Sequence, residues 1–260
     1  MPHKKIVRLY GLVGKKLGHS FSPAYFQRKF EQLGLPYAYE AFERERLVGF
    51  REWVAAEPRL SGLNITIPYK EEIRSYLDSL SPEAEWIGAV NTIEFQPNGR
   101  LRGHNTDWAG FRQALLEAFS LPDAFHALVL GSGGASKAVQ YALHQLPGCR
   151  GITLVSRSTP LGAGANHLAY TDLDSGLIRA HTLIINTTPL GMHPDVGSRP
   201  PIPYQVLTGH HLLMDLVYNP ADTAFMQAGA SQGAQVQNGL RMLELQAEAA
   251  WQIWQQNPHI

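Results

Sequence analysis

The chain has a single cysteine, Cys149, so it forms no internal disulfide and a reducing compartment is expected. It has no excess charge of either sign: 22 Lys plus Arg stand against 22 Asp plus Glu. That balance excludes a general pull toward nucleic acid or an anionic membrane, so any bound anion must be held by local geometry. No apolar run approaches the roughly 20 residues of a membrane span. Met-Pro-His-Lys-Lys leads into a strand-like segment, not into the apolar core of a signal peptide. Repeats and low-complexity tracts are missing, and no metal site is expected. What is there is 260 residues, 44% hydrophobic and 17% charged, enough for one large globular domain or two modest ones. The expectation is a cytoplasmic α/β protein, monomer or homodimer.

Strand-like and helix-like segments alternate from the start. Residues 6–13 read as a strand. Ser22-Pro23 reads as an N-cap and first helical residue, with Gly34 closing that helix. Residues 44–56 and 69–80 read as helices, and 63–67 as a short buried strand between them. Asn98-Gly99 marks a hairpin between 89–96 and 100–104. Beyond Asp107 the texture changes. Apolar strands at 127–130, 151–156, 181–186 and 211–217 alternate with helices, which implies a parallel, doubly wound sheet. The stretch 239–256 reads as a helix with no glycine or proline after Gly239.

Gly131-Ser132-Gly133-Gly134-Ala135-Ser136 follows the first of those strands and opens a helix. The first glycine permits a tight turn. The second lets a phosphate approach the backbone, and small residues at 135 and 136 let helix and strand pack closely. Strand, glycines and helix in that order point to a dinucleotide site. The next strand ends Val155-Ser156-Arg157-Ser158, without the acid that would bond a ribose 2′-hydroxyl. Arg157 is suited instead to a 2′-phosphate. NADP is therefore the expected cofactor.

The first half carries polar clusters at element junctions: residues 18–23, 64–70, 89–92 and 105–107. In α/β sheets ligands collect at the carboxyl ends of strands. Hydroxyl and amide side chains there suit a polyhydroxylated substrate, since each buried hydroxyl needs a partner. Taken singly, Lys70 reads as a solvated first-turn lysine, Asp107 and Ser22 as helix caps, and Asn64 and Asn91 as local backbone partners. The case for a site rests on their coincidence.

With these segments in view, the sequence resembles the shikimate dehydrogenase family over nearly its full length. The matching segments are GHSFSP (18–23), NITIPYK (64–70), GAVNT (88–92), NTD (105–107), GSGGAS (131–136), NTTPLGM (186–192), DLVYNP (215–220) and NGLRMLELQA (238–247). The resemblance implies a two-domain α/β fold. Residues 1–107 with about 239–260 would form an N-terminal α/β substrate domain, to which the C-terminal helix returns. Residues 108–238 would form a Rossmann-like NADP domain. It also implies reversible NADPH-dependent reduction of 3-dehydroshikimate to shikimate, on the way to chorismate and the aromatic amino acids. By motif position Ser20 and Ser22 would hold the carboxylate, and Thr66, Asn91, Asp107, Tyr218 and Gln246 would line the ring, with Asn64 nearby. Lys70 would be the catalytic lysine, with Asp107 its partner. Gly131, Ser132, Gly133, Gly134, Ala135, Ser156, Arg157, Ser158, Thr188, Leu216 and Gly239 would contact the cofactor.

Two departures stand out. The family's Asn-Arg-Thr loop is Ser156-Arg157-Ser158 here, and residues 159–164 add no second cation. The His-Asn pair usual after the first motif's proline is replaced by Tyr25-Phe26-Gln27. The alternatives are an NAD-preferring quinate/shikimate dehydrogenase or related small-acid dehydrogenase, and a sensor that kept the fold and lost catalysis. The missing acid speaks against the first. The presence of both Lys70 and Asp107 speaks against the second.

Overall fold

A computed structural model describes residues 7–18, 20–157 and 166–256. Contacts divide the chain into two units, one of residues 1–106 and 247–260 and the other of residues 107–246.

The first unit is built on a six-stranded mixed sheet. Its strands are β1 (Arg8–Gly14), β2 (Tyr37–Glu43), β3 (Leu60–Ile65), β4 (Ser79–Leu80), β5 (Thr92–Phe95) and β6 (Leu101–His104), in the order β2-β1-β3-β5-β6-β4. Strand β1 runs parallel to both neighbours, while β3–β5 and β5–β6 are antiparallel. The hairpin at Asn98-Gly99 forms as read, with Gly99 at φ +75°. Helix α1 (Phe21–Gln32) buries Ser22, Phe26 and Phe30, one residue every four, against the sheet. It begins two residues earlier than the Ser22-Pro23 signal suggests, with Ser20 as N-cap. Pro23 is the third helical residue and has no N–H, so the amide that an N-cap hydroxyl most often accepts from is missing, and Ser20 makes no side-chain cap bond.

Two helical readings fail. Residues 44–56 are helical only over α2 (Phe50–Ala56), because Gly49 enters it in a left-handed conformation, φ +73°. Residues 69–80 form a 3₁₀ turn, Glu72–Tyr76, and then β4. Tertiary pairing overrides helix periodicity there. Asp78 accepts from the Leu101 amide at 2.7 Å, and Ser79–Leu80 pairs with β6. The sequence reading also missed α3 (Pro82–Ile87), which has a true Ser-Pro start: Ser81 accepts from the Ala84 amide at 3.2 Å. From the C-terminal stretch, Ala247, Ala250, Trp251 and Trp254 join Tyr10, Phe26, Phe30 and Tyr39 in one core. Trp254 Nε1 donates to the Ile93 carbonyl at 3.1 Å.

The second unit is an all-parallel sheet of β7 (Phe125–Leu130), β8 (Cys149–Ser156), β9 (His167–Ala169), β10 (Leu183–Asn186), β11 (Leu212–Asp215) and β12 (Gln235–Gln237). Its order β12-β11-β10-β7-β8-β9 is that of a doubly wound nucleotide-binding sheet, reversing between β7 and β10. Strands β7, β10 and β11 are nearly wholly buried, as expected when helices cover both faces. The helices are α4 (Asp107–Ala118), α5 (Gly134–His144), α6 (Ser175–Ala180), α7 (Ala224–Ala230) and the first part of α8 (Leu240–Gln255). Among the described residues no helix is long and apolar enough to cross a membrane, and no group of three His, Cys, Asp or Glu is placed to hold a metal.

Candidate functional site

In the first unit a polar network lies where β3 and β5 meet, at the register pair Asn64 and Thr92. Asn64 donates to the Asn91 carbonyl at 3.1 Å and to Thr92 Oγ1 at 3.2 Å. Its Oδ1 accepts from the Tyr39 hydroxyl at 2.8 Å. Asn91 Oδ1 accepts from the Thr106 amide at 2.7 Å and from Thr92 Oγ1 at 3.1 Å, and its Nδ2 donates to Thr106 Oγ1 at 3.0 Å. Ser22 joins through the Tyr39 phenol, whose ionisation burial pushes up and the Ser22 bond partly opposes. All of these side chains are buried. The structure thus brings Ser22, Asn64 and Asn91 together.

Tyr39 is the member that sequence reasoning missed. It sits in the alternating Tyr-Ala-Tyr-Glu-Ala-Phe run of β2 and looks like core packing, stacked on Phe26 at 4.7 Å. The available signal was its hydroxyl, since a buried tyrosine needs a partner.

Beyond β3 the chain carries Thr66 and then Lys70, both half-buried. The Thr66 amide donates to Val13 at 2.9 Å, and the Lys70 carbonyl accepts from Val90 at 2.7 Å, which fixes this segment against β1 and the Asn91 turn. Ser20 lines an open depression of about 570 Å³ with Leu17, Glu43 and four others.

In the second unit Asp107 is the first residue of α4 and is buried. Gln246 is buried and donates to the Leu243 carbonyl at 3.0 Å. Tyr218 is half-buried in the loop after β11.

The glycine turn behaves as its sequence requires. Gly131 has φ +108°, and a Cβ there would lie 2.6 Å from Thr187 Oγ1. Gly133 and Gly134 would meet nothing within 4 Å, so the space above them is open. Gly133 is the N-cap of α5 and offers no side-chain cap, which leaves first-turn amides for an anion. Gly131, Ser132, Gly133, Ser156, Arg157 and Thr188 line one cavity of about 460 Å³. Arg157 is exposed at the end of β8, and Ser156 Oγ lies 2.8 Å from His167 Nε2. Gly134 and Ala135 begin α5 beside this cavity. Leu216 and Gly239 are not in its lining; the Leu216 amide donates to the Asn186 carbonyl at 2.9 Å and the Gly239 amide to Val217 at 3.1 Å. Ser158 lies outside the described residues. An uncapped helix start over open glycines, with an arginine and no acid beside it, fits a dinucleotide bearing a 2′-phosphate.

The family model described as shikimate dehydrogenase substrate binding domain matches residues 12–93. A curated relative, the shikimate dehydrogenase (NADP(+)) of Desulforamulus reducens, is 37% identical, and the match covers 94% of this chain and 88% of that one. The chain belongs to the shikimate dehydrogenase family. Family members of known structure share its architecture. Shikimate 5-dehydrogenase from Listeria monocytogenes, solved with shikimate and NAD, is 30% identical with a TM-score of 0.86, over 96% of this chain and 92% of that one. The Thermus thermophilus enzyme, solved with NADP(H) and shikimate, is 36% identical with a TM-score of 0.81, over 95% and 93%. The segment matched by the family model contains Ser20, Ser22, Asn64, Thr66, Lys70 and Asn91, and ends before Asp107.

Proposed function

We propose that the chain is an NADP-dependent shikimate dehydrogenase. It reversibly reduces 3-dehydroshikimate to shikimate, in the route to chorismate and the aromatic amino acids. The observation that carries this reading is the buried amide and hydroxyl network around Asn64 and Asn91, in a chain of this family that also holds an acid-free dinucleotide turn. In this reading residues 1–107 with 239–260 serve the substrate, and residues 108–238 serve the cofactor.

Ser20 and Ser22 hold the substrate carboxylate, Ser22 turning its one hydroxyl hydrogen from Tyr39 to do so. Thr66, Asn91, Tyr218 and Gln246 line the ring hydroxyls, with Asn64 nearby holding the Asn91 turn in place; pairing each hydroxyl is how such a site rejects analogues lacking one. Gly131 to Ala135 receive the pyrophosphate, and Ser156, Arg157 and Ser158 the 2′-phosphate. Thr188, Leu216 and Gly239 border the rest of the dinucleotide. When bound, NADPH supplies the hydride that the ring carbonyl carbon receives. The remaining task for the protein is one proton. Lys70 as an ammonium gives that proton to the carbonyl oxygen, and as an amine it takes it back in the oxidative direction. Asp107 shares the task by accepting from the ring hydroxyl and orienting Lys70.

The test follows NADPH formation spectrophotometrically with shikimate or quinate and with NADP or NAD. Shikimate with NADP is expected to give the highest kcat/KM. Preference for NAD, or for quinate, would overturn the assignment. Binding of shikimate without turnover would favour the sensor reading.

A further inference from the structure

Asp215, the last residue of β11, is fully buried, and the groups bonded to it are all neutral. Oδ1 accepts from Asn186 Nδ2 at 2.9 Å and from the Val217 amide at 3.0 Å, and Oδ2 accepts from Thr223 Oγ1 at 2.6 Å. Burial pushes its pKa up to about 6, with the bonds from Thr223, Val217 and Asn186 opposing. A buried carboxylate without a countercharge is costly, so its geometry needs a reason.

Asn186 supplies one. It is the last residue of β10 and the register neighbour of Asp215. A carboxylate only accepts, so the Asn186 NH₂ must face it and the Asn186 carbonyl must face the other way. That carbonyl receives the Thr188 amide at 3.0 Å and the Thr188 hydroxyl at 2.7 Å. Thr188 Oγ1 in turn accepts from the Leu190 amide at 3.3 Å. Thr188 and Leu190 line the cavity over the glycine turn. On the other side, Val217 N binds Asp215 directly and Leu216 N binds the Asn186 carbonyl of the main chain. Two loops at the carboxyl edge of the sheet therefore hang from one carboxylate.

We propose that Asp215 is a positioning residue for the dinucleotide: it fixes the amide orientation of Asn186, which sets the 187–190 wall of the cavity and the direction of the Thr188 hydroxyl. This rests on the reading of that cavity as the NADP site. Asp215 touches no ligand in this scheme and acts only through Asn186 and Val217.

The test uses the full chain with Asp215→Ala and Asp215→Asn. NADP⁺ is titrated alone by calorimetry, and amide hydrogen exchange at Thr188 and Leu190 is read on ligand-free protein. Asp215→Ala should weaken NADP⁺ binding about tenfold or more and speed exchange at both amides, since it leaves buried donors without an acceptor. Asp215→Asn should stay within about threefold of wild type. Its Oδ1 still serves Asn186 and Val217 while its NH₂ turns to Thr223. The KM for shikimate should stay near wild type in Asp215→Asn and rise clearly less than the NADP⁺ dissociation constant in Asp215→Ala, where only Tyr218, next to Val217, touches the substrate side, a split that general destabilisation would not produce. If Asp215→Ala does not fold, Asn186→Ala is judged by the same loss of NADP⁺ affinity and faster Thr188 exchange. The proposal is overturned if the alanine variant binds NADP⁺ within about twofold of wild type, if the asparagine variant is as weak as the alanine, or if shikimate KM rises in step with NADP⁺ dissociation. A wild type that binds NADP⁺ and fails to oxidise shikimate would sink the assigned reaction and leave this test intact. A wild type that binds no dinucleotide would sink both.

Discussion

Two glycines of the nucleotide turn, two residues apart, should fail in different ways when given a methyl group. At Gly131 an alanine must adopt φ +108° and place its Cβ 2.6 Å from Thr187 Oγ1. Thr187 cannot retreat cheaply, because both its amide (2.9 Å) and its hydroxyl (2.7 Å) bond the Leu130 carbonyl. Left-handed backbone costs an L residue about 1–2 kcal/mol, and overpacking adds about 1–3 kcal/mol. The sum, about 2–5 kcal/mol, should lower the melting temperature by roughly 5–15 °C for a chain of this size. At Gly133 the backbone is ordinary, φ −78°, and nothing lies within 4 Å of the added Cβ. Alanine at that N-cap should cost less than about 1 kcal/mol, yet its methyl occupies the approach of the pyrophosphate. Gly133→Ala should therefore melt near wild type and lose about tenfold or more in NADP⁺ affinity. Thermal denaturation followed by circular dichroism, with NADP⁺ titration on the same samples, decides it. A Gly131→Ala protein melting within about 2 °C of wild type would refute the strain argument. A Gly133→Ala protein that binds NADP⁺ normally would refute the placement of the phosphates.

Three further outcomes are expected. Lys70→Met should lower kcat by about 10²–10⁴-fold with little change in the KM for shikimate, the pattern of a lost acid/base; steady-state rates near wild type would count against that role. Arg157→Ala should raise the KM for NADP about tenfold, the worth of a charge-assisted hydrogen bond, and leave the KM for NAD within about twofold in parallel initial-rate assays. Asp215 carries a pH signature in stability. Its folded pKa of about 6 lies above its ordinary value of 3.8, so the native state binds more protons between those values. Its contribution to stability therefore falls as pH rises through that window and is level above it. Asp215→Asn should gain about 2 kcal/mol on wild type between pH 4.5 and pH 7 in urea denaturation, and parallel curves for the two proteins would contradict the buried charge.

Four strands of the second unit, β7, β8, β10 and β11, were legible because each has a local cause, whereas the three-residue edge strands β9 and β12 were not read. An apolar strand running into glycines has few ways to fold, and Gly131 and Gly133 do what their sequence context requires. The first unit was less legible where distant pairing decides. Nothing within residues 69–80 announces that Ser79–Leu80 will pair with β6, or that Asp78 will take the Leu101 amide. The Ser-Pro signal was read two residues late at Ser22-Pro23 and went unread at Ser81-Pro82, where it does start a helix, since one dipeptide serves both as cap-plus-first-residue and as second-plus-third. Asn64 and Asn91, which share the buried network, stand in polar segments that residue type singled out. Tyr39 was not, because an aromatic in an alternating strand gives no local sign of which way its hydroxyl will point.

The first unit is assembled from both ends of the sequence, and that has a consequence during synthesis. Tyr10, Phe26 and Phe30 emerge early, but Ala247, Ala250, Trp251 and Trp254, which share their core, follow only after residues 107–246, a stretch of 140 residues. At roughly 5–20 residues per second, that aromatic face waits on the order of ten seconds on the ribosome without its cover. The second unit is continuous and has all its strands before then. The part of the chain that begins first is thus the part that finishes folding last, and in the interval its aromatic surface is the place where a chaperone, or another nascent chain, would find it.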